Sequence, residues 1–407
     1  AETSPMMRLV QGDVGSGKTA VALSSATKAL DSGHQVVFMA PTTLLAQQHL
    51  ESIKNYFPSH HNEIALLTSG LRKKERNEII ENIFLGRIKF LVGTHAVLQN
   101  DVIFKSLAMV VIDEQHRFGV NQRLTLTKKA DDELSAHQLT LTATPIPRTL
   151  SMSIYANMDV SVINELPPGR LPIQTSMVAI SARNKLIKRV EKAIKKDSLV
   201  YWICPLVEES ETLDLSSVNE RFDTLKESLG DKNVALMHGK LSNDKKKEAI
   251  FKFKSGKIKI LISTTVIEVG VDVPDADIMI IENAERFGLA QLHQLRGRVG
   301  RSSKESFCIL LHKDKLTELS QERLSALCDS NDGFAIAEKD LEIRGPGEIL
   351  GSQQTGILPF RYANLIRDNK YLADTKNIAE NIYDADKEKA NQLMKRWISG
   401  IISYANA

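Results

Sequence analysis

Residues 12 to 19 read GDVGSGKT and match the phosphate-binding pattern G-x-x-x-x-G-K-[ST]. The segment follows a strand-like apolar run and precedes a helix-like run starting near Ala20, which is the context that this pattern requires. Glycines let the backbone approach an anion closely, while Lys18 can reach terminal phosphates and Thr19 can hold Mg²⁺. The alternative is a glycine-rich turn with a purely structural use. That alternative does not explain why a lysine and a hydroxyl residue occupy the two positions at which the pattern requires them. The predicted nucleotide site therefore includes Gly12, Asp13, Val14, Gly15, Ser16, Gly17, Lys18 and Thr19.

Two adjacent carboxylates follow the apolar run MVVI. Asp113 and Glu114 fall where a strand of an open α/β sheet ends, which is the edge at which such sheets bind ligands. Asp113 can hold the Mg²⁺ that bridges phosphates, and Glu114 can orient and deprotonate an attacking water. Gln115 and His116 extend the same site. Two solvated acids at a strand end are the alternative, which the phosphate loop upstream disfavours.

Short apolar runs alternate with helix-length amphipathic segments, a pattern typical of parallel α/β sheets, and the pattern occurs twice. The first set of predicted strands ends at Gln11 or spans 35–40, 64–68, 89–94, 109–113 and 138–142. The second set spans 199–204, 233–238, 258–263, 277–282 and 306–311. Between the two sets, LPPGRLP at 166–172 predicts a domain linker, because prolines and glycine prevent a continuing helix. After about residue 315 we expect helices, interrupted by a glycine-rich loop at 344–356.

The composition excludes several classes of protein. With 407 residues, 42% hydrophobic and 25% charged, the chain is typical of a globular protein of two or three domains. Its net charge of +3 is too small to indicate a nucleic-acid or membrane partner for the chain as a whole. Residues 166–315 are more basic, with 26 basic against 20 acidic residues. Three scattered cysteines give no zinc or redox spacing. No apolar run approaches membrane-spanning length, so we expect a soluble, cytoplasmic protein without a membrane partner.

Further segments carry a resemblance to a known family. With DEQH at 113–116, TAT at 142–144 and QLRGRVGR at 294–301, the chain resembles the motors of helicase superfamily two. More narrowly it resembles the bacterial RecG family of ATP-dependent DNA helicases and translocases. The supporting segments are GTHAVLQ at 93–99, DEQHRFGVNQR at 113–123, TATPIPRTLSM at 142–152, NELPPGRLP at 164–172 and DLEIRGPGEILGSQQTG at 340–356. The transcription-repair coupling factor shares two of these segments in part.

The resemblance implies two tandem RecA-like parallel-sheet α/β domains, at 1–165 and 166–315. A helical hairpin, hook loop and C-terminal helices at 316–407 would couple ATP hydrolysis to translocation. ATP and Mg²⁺ are the implied cofactors. The implied activity is movement on duplex DNA that remodels branched DNA, through fork reversal and Holliday junction branch migration, in recombination and repair. Implied partners are DNA and a single-stranded DNA-binding protein, for a monomer associated with the bacterial nucleoid.

Individual roles carry over from the family to matching positions. Arg298 and Arg301 of the second domain would reach the γ-phosphate and join Lys18 and Glu114 in catalysis. Gly270 and Asp272 would contact the nucleotide. The residues implied in coupling are Thr142, Thr144, Gln294, Arg344 and Gln354. Predicted DNA contacts are polar groups at strand ends, namely Pro41, Thr42, Thr43, Gly93, Thr94, His95, His238, Gly239, Thr264 and Thr265.

Other functions stay open at this point. An RNA track is compatible with the core motifs, because RNA and DNA present the same phosphates. A small-molecule phosphotransferase would leave the second α/β half and QLRGRVGR unexplained, and a non-catalytic scaffold would not need the acidic and basic site residues. RecG relatives begin with a strand-separating wedge region and a glutamine-containing segment that reads adenine. We therefore expect this chain to be the motor part, with poor base selectivity and no junction selectivity of its own.

Overall fold

The computed structural model contains two parallel β-sheets followed by helices. The structure describes residues 5–114, 126, 129, 136–143, 158–165, 170–205, 211–239, 241–264, 273–302, 304–351, 368 and 371–397. No helix in these ranges is long and apolar enough to cross a bilayer.

Within the described residues, the first sheet has seven strands in the order β3-β4-β2-β5-β6-β1-β7, and all neighbouring strands are parallel. Its strands are β1 (Met7–Gly12), β2 (Gln35–Met39), β3 (Ile64–Leu67), β4 (Phe90–Gly93), β5 (Leu107–Asp113), β6 (His137–Thr142) and β7 (Asp159–Ile163). The helices beside it are α1 (Lys18–Asp31), α2 (Thr43–Tyr56) and α3 (Lys73–Phe84). Because β5, β6 and β1 are neighbours, their carboxyl ends lie side by side.

Both faces of the first sheet are covered. Val36 and Phe38 belong to one buried cluster, whereas the alternating Val37 and Met39 belong to another on the opposite face. This two-sided burial explains why β2 reads as a continuous apolar run rather than as an alternating one.

The second sheet has six strands in the order β10-β11-β9-β12-β13-β8, again with parallel pairing. Its strands are β8 (Gln174–Ala179), β9 (Leu199–Ile203), β10 (Val234–Met237), β11 (Ile260–Ser263), β12 (Ala276–Ile281) and β13 (Phe307–His312). Its helices are α4 (Arg183–Ile194), α5 (Glu211–Leu229), α6 (Asn243–Lys254) and α7 (Leu289–Arg296). Leu44 of α2 packs against the core of this second domain, so the two domains touch each other.

Helices α8 (Glu318–Asp329), α9 (Gly333–Gly351), α10 (Leu372–Ala385) and α11 (Lys387–Trp397) complete the described chain. Leu324 and Leu327 of α8 and Ile336 of α9 are buried in the same cluster as Tyr201 of β9. The base of the helical segment is thus part of the core of the second domain.

The prediction of a loop starting at residue 344 is wrong for its first part, because α9 continues to Gly351 through Gly345, Pro346 and Gly347. A proline removes one backbone donor from a helix. The hydrogen bonds of the other residues remain available, so α9 does not have to end there. Residues 352–356 lie outside the described ranges.

All eleven predicted strands are present, but β7 and β8 were missed. Both are edge strands, and their residues are exposed or half-buried. Such strands do not need a continuous apolar run, which was the signal used for the others. The gap between β7 and β8 contains the predicted linker, while the boundaries at 165 and 315 stay predictions.

The side chain of Gln35 joins four backbone groups at the start of β2. Its Nε2 donates to the carbonyl oxygens of Ile83 and Ile88, and its Oε1 accepts from the backbone N–H groups of Lys105 and Ser106. The residue is 1% exposed. This amide therefore links the segment at Ile83 and Ile88 to the segment at Lys105 and Ser106 through hydrogen bonds inside the protein.

We expect Gln35→Leu to lower the free energy of unfolding by about 2–4 kcal/mol, because it removes four hydrogen bonds that a buried side chain makes to the backbone. Urea denaturation followed by circular dichroism measures the change. Gln47→Leu, at a half-buried position in α2, serves as the matched control. A loss for Gln35→Leu no larger than the loss for the control would contradict the expected role.

Candidate active site

The phosphate loop connects β1 directly to α1. Gly15 and Gly17 have φ of 83° and 95°, values that favour glycine, and α1 begins at Lys18 rather than near Ala20. A Cβ atom on Gly12 would lie 2.5 Å from Ser16 Oγ, so the loop closes too tightly there for a side chain. The N-terminus of a 14-residue helix therefore faces the loop, an arrangement suited to an anion.

Lys18 is buried, and its ammonium group is held by the loop itself. Nζ donates to the carbonyl oxygens of Gly12 at 2.8 Å and Asp13 at 2.7 Å. Burial lowers the pKa of Lys18, whereas the negative charges of Asp113 and Glu114 oppose that shift. The lysine thus bonds the loop and lies within reach of the charges of the acidic pair.

Asp113 ends β5 and is held by two donors. His49 Nε2 lies 2.9 Å from Oδ2, and the backbone N–H of Glu114 donates to Oδ1 at 3.1 Å. Burial acts to raise the pKa of Asp113. The hydrogen bond from His49, the charge of His49 and the charge of Lys18 lower this pKa by more. The pKa therefore lies below its ordinary value, and the group stays a carboxylate.

Glu114 differs from Asp113 in its backbone conformation and in the direction of its pKa shift. Its φ of 51° is in the left-handed region, which residues other than glycine adopt rarely. Burial and the charge of Asp113 raise the pKa of Glu114 to about 7, while Arg298 and Lys18 lower it. A carboxyl group with a pKa near neutrality is suited to accept a proton during a reaction.

The residues around the loop fit a magnesium ion. Mg²⁺ at nucleotide sites takes one or two protein oxygens and completes its coordination with phosphates and waters. Asp113 is a carboxylate, Thr19 is half-buried in the first turn of α1, and the buried Ser16 Oγ has no hydrogen-bond partner among the described residues. Asp113 and Thr19 would therefore hold the ion.

The second domain brings two arginines to the same place. Arg298 is buried, and its charge lowers the pKa of Glu114, while the charge of Arg301 lowers the pKa of Lys18. A Cβ atom on Gly297 would lie 3.0 Å from the side chain of Val14, so the backbone that precedes Arg298 packs against the phosphate loop. The site is thus assembled from both domains.

Three residues at this site were missed by sequence reasoning. His49 bonds Asp113, His293 Nε2 lies 2.5 Å from Asp13 Oδ1, and Arg170 Nη1 donates to the carbonyl oxygen of Val14 at 2.5 Å. Arg170 lies in the predicted linker, and His293 lies next to QLRGRVGR. Their closeness in sequence to these segments was the one signal that could have indicated a role at the site. Nothing in the sequence around His49 distinguishes it from an ordinary helix residue.

The predicted DNA contacts follow the ends of β2, β4, β10 and β11. His95 and Gly239 are exposed, and Pro41, Thr42, Thr43 and His238 are half-buried. Thr42 also caps α2, since its side chain accepts from the backbone N–H of Leu45. Gly93, Thr94 and Thr264 are buried and do not present a side chain to solvent.

Other predicted residues are placed only in part. Thr142 ends β6 beside Gln11 of β1, Gln294 is buried on α7, and Arg344 lies in α9. The predicted residues outside the described ranges are Gln115, His116, Thr144, Thr265, Gly270, Asp272 and Gln354.

Comparison with known proteins decides the family. The profile of DEAD/DEAH box helicases matches residues 3–153, that of the helicase conserved C-terminal domain matches 183–303, and that of RecG domain 3, C-terminal, matches 330–397. The ATP-dependent DNA helicase RecG of Haemophilus influenzae is 48% identical over 405 residues, which are 99% of this chain. The chain belongs to the RecG family. It spans 58% of the length of that RecG relative.

Similar solved structures support this family assignment. RecG bound to a three-way DNA junction matches with a TM-score of 0.72 at 40% identity, covering 91% of this chain and 48% of that one. Saccharomyces cerevisiae Dbp5 bound to RNA and ADP-BeF3 matches with a TM-score of 0.59 at 19% identity, covering 84% of each chain. The second match shows the fold alone. The resemblance to RecG and the fold class, two RecA-like domains with a helical C-terminal segment, are confirmed.

Proposed function

We propose that the chain is the motor of a RecG-type DNA helicase, which hydrolyses ATP in the cleft between its domains and moves on duplex DNA. In the longer protein, this movement would remodel branched DNA by fork reversal and Holliday junction branch migration in recombination and repair. The observation that carries the proposal is the assembly of one site from both domains, with the charge of Arg298 acting on Glu114 and that of Arg301 acting on Lys18.

Binding of ATP begins at the loop. The backbone N–H groups before α1 would receive the phosphates, and Lys18 would exchange its bonds to Gly12 and Asp13 for bonds to phosphate oxygens. Asp113 and Thr19 would hold Mg²⁺, which when bound neutralises charge on the phosphate oxygens. His49 keeps the Asp113 carboxylate in place for that task.

Hydrolysis then requires a base and positive charge. Glu114 lies beside Asp113, and its raised pKa suits it to orient water and take its proton. Arg298 and Arg301 would stabilise the negative charge that develops on the transferred phosphoryl group. Because both arginines belong to the second domain, fast hydrolysis requires a closed cleft.

Closure would be converted into movement along DNA. Both sheets present exposed or half-buried polar groups after strand ends, including Thr43 and His95 in the first domain and His238 and Gly239 in the second. Such groups bind phosphates of the DNA backbone and carry no sequence information. Opening and closing of the cleft would change the spacing of the two sets of contacts, and α8 and α9 move with the second domain because they share its core.

The proposed partners are DNA and a single-stranded DNA-binding protein, for a monomer that acts in the bacterial cytoplasm at the nucleoid. An RNA-directed ATPase uses the same fold, so the fold does not separate it from a DNA motor. The RecG domain 3 match at 330–397 favours DNA. A small-molecule phosphotransferase is disfavoured, because two arginines of a second α/β domain would have no task in it.

Phosphate release with matched nucleic acids tests the proposal. At one stated salt concentration, forked and plain duplex DNA should stimulate hydrolysis strongly, and RNA duplex of the same sequence should stimulate it weakly. Salt must be fixed because phosphate contacts weaken steeply as salt rises. Lys18→Ala supplies the inactive control. Equal stimulation by RNA would favour the RNA-directed alternative, and no stimulation by any polymer would favour the phosphotransferase.

A further inference from the structure

A polar pair joins a side chain of the phosphate loop to a side chain of the second domain. His293 Nε2 lies 2.5 Å from Asp13 Oδ1, although the residues are 280 positions apart. The side chains are only 5% and 22% exposed, respectively. A shielded hydrogen bond to a carboxylate is stronger than a bond between neutral groups and is weakened less by solvent than a surface pair.

Arg296 fixes which nitrogen of the imidazole donates. Its Nη2 lies 3.0 Å from His293 Nδ1, and a guanidinium group can only donate hydrogen bonds. Nδ1 must therefore accept, which leaves the proton on Nε2, the nitrogen that faces Asp13. Nε2 is therefore the donor to Asp13, and the contact with Arg296 sets this arrangement.

Arg296 is itself immobilised. Its Nη1 donates to the carbonyl oxygens of Leu327 and Ser330, both at 2.7 Å, and the residue is 2% exposed. The imidazole is thus held from the core of the second domain rather than by a long side chain in solvent. A donor fixed in this way loses little conformational entropy when it meets its acceptor.

On the other side of the cleft, Asp13 is a carboxylate inside a loop built for anions. If the carboxylate of Asp13 faced bound phosphates, it would repel them. The bond to His293 turns it toward the second domain instead, and Arg170 holds the same stretch of loop by donating to the carbonyl oxygen of Val14. Burial acts to raise the pKa of Asp13, but the bond from His293 and nearby positive charges lower it, so the acceptor stays ionised.

We propose that Asp13 and His293 form a latch that holds the cleft closed and sets the register of the phosphate loop against the segment carrying Arg298 and Arg301. The latch rests on the proposed function. Both residues are positioning residues, because they act on the loop and on the arginines rather than on the reacting atoms. Arg296 serves the latch by selecting the tautomer.

A double-mutant cycle tests the latch in DNA-stimulated ATP hydrolysis. His293→Leu and Asp13→Ala should each lower kcat about tenfold, as expected for a lost hydrogen bond to a charged group. The double variant should also lose about tenfold rather than about a hundredfold, because either change alone breaks the pair. Asp13→Asn keeps an acceptor oxygen and should recover most of the activity.

His60→Leu is the matched control, since His60 pairs with Glu63 inside the first domain. Its kcat should equal that of the unsubstituted chain. Additive losses in the double variant, or no recovery with Asp13→Asn, would overturn the latch. Circular dichroism melting curves would identify a His293→Leu variant that fails to fold, and His293→Ala would then replace it in the cycle.

A second measurement reports closure itself. Phe84→Cys in α3 and Phe251→Cys in α6 place dyes at exposed positions of the two domains. Cys328→Ser removes the one half-buried thiol of the background, while Cys204 and Cys308 are buried. A non-hydrolysable ATP analogue should raise energy transfer in this background and raise it less in His293→Leu.

Equal energy transfer in both proteins would overturn the latch. Failure of the proposed function would look different, since the unsubstituted chain would then show no DNA-stimulated hydrolysis. The dye measurement would decide the latch even in that case, because it needs only nucleotide binding.

Discussion

Replacing Glu114 by Gln should lower kcat for DNA-stimulated ATP hydrolysis by about 10²–10⁴-fold, the range expected when a general base is lost. Gln has nearly the same shape as Glu but cannot take a proton. Asp113, the other carboxylate at this place, has a lowered pKa and is therefore a poor substitute as a base. Steady-state phosphate release at saturating ATP and duplex DNA measures the change.

Binding of ATP should survive in this variant, because the phosphate loop and Lys18 are unchanged. Titration with a fluorescent ATP analogue checks that point. Glu63→Gln is a suitable control, since Glu63 is half-exposed and pairs only with His60 among the described contacts. If Glu114→Gln kept more than a third of the original kcat, Glu114 would not be the base.

Arg298→Ala should have a comparable or larger effect, a loss of about 10³–10⁵-fold in kcat. Arg298 belongs to the second domain, yet its charge acts on Glu114 of the first. Removal of the guanidinium group would take positive charge from the developing transition state while leaving the loop intact. The KM for ATP should change much less than kcat, and single-turnover hydrolysis with DNA present separates the two effects.

Because Arg298 is buried, its removal can also disturb packing. Arg298→Lys retains the charge without the forked geometry and should fold while staying far below the original rate. Arg286→Ala changes an exposed arginine of the same domain and should leave kcat unchanged. Near-normal activity of Arg298→Lys would show that only the charge of Arg298 matters. Near-normal activity of Arg298→Ala would show that Arg298 takes no part in hydrolysis.

Much of the fold could be predicted because buried strands leave a strong signal. β2 and β9 are covered on both faces and read as unbroken apolar runs. β7 and β8 lie at sheet edges and leave no such run. The course of α9 through Pro346 was not predictable from local preference, because packing of its first turns against the second domain is a tertiary effect.

For the active site, the sequence indicated which residues bear chemistry but not how they are held. Lys18, Asp113 and Glu114 stand out by spacing, and the structure brings them together. His49 and His293 act through partners that are 64 and 280 residues away. No local pattern encodes such contacts, because they arise only when strands and domains meet in three dimensions.

The position of β1 has a consequence for synthesis of the chain. β1 ends at Gly12, but its neighbours in the sheet are β6 and β7, and β7 ends at Ile163. At about 5–20 residues per second, a ribosome needs roughly 8–30 s to make the intervening segment. Until β6 emerges late in that interval, β1 has neither of its neighbouring strands, and its apolar side chains must stay in solution or be shielded by a chaperone. The strand β1 is thus made well before β6 and β7, the strands that hold it in the sheet.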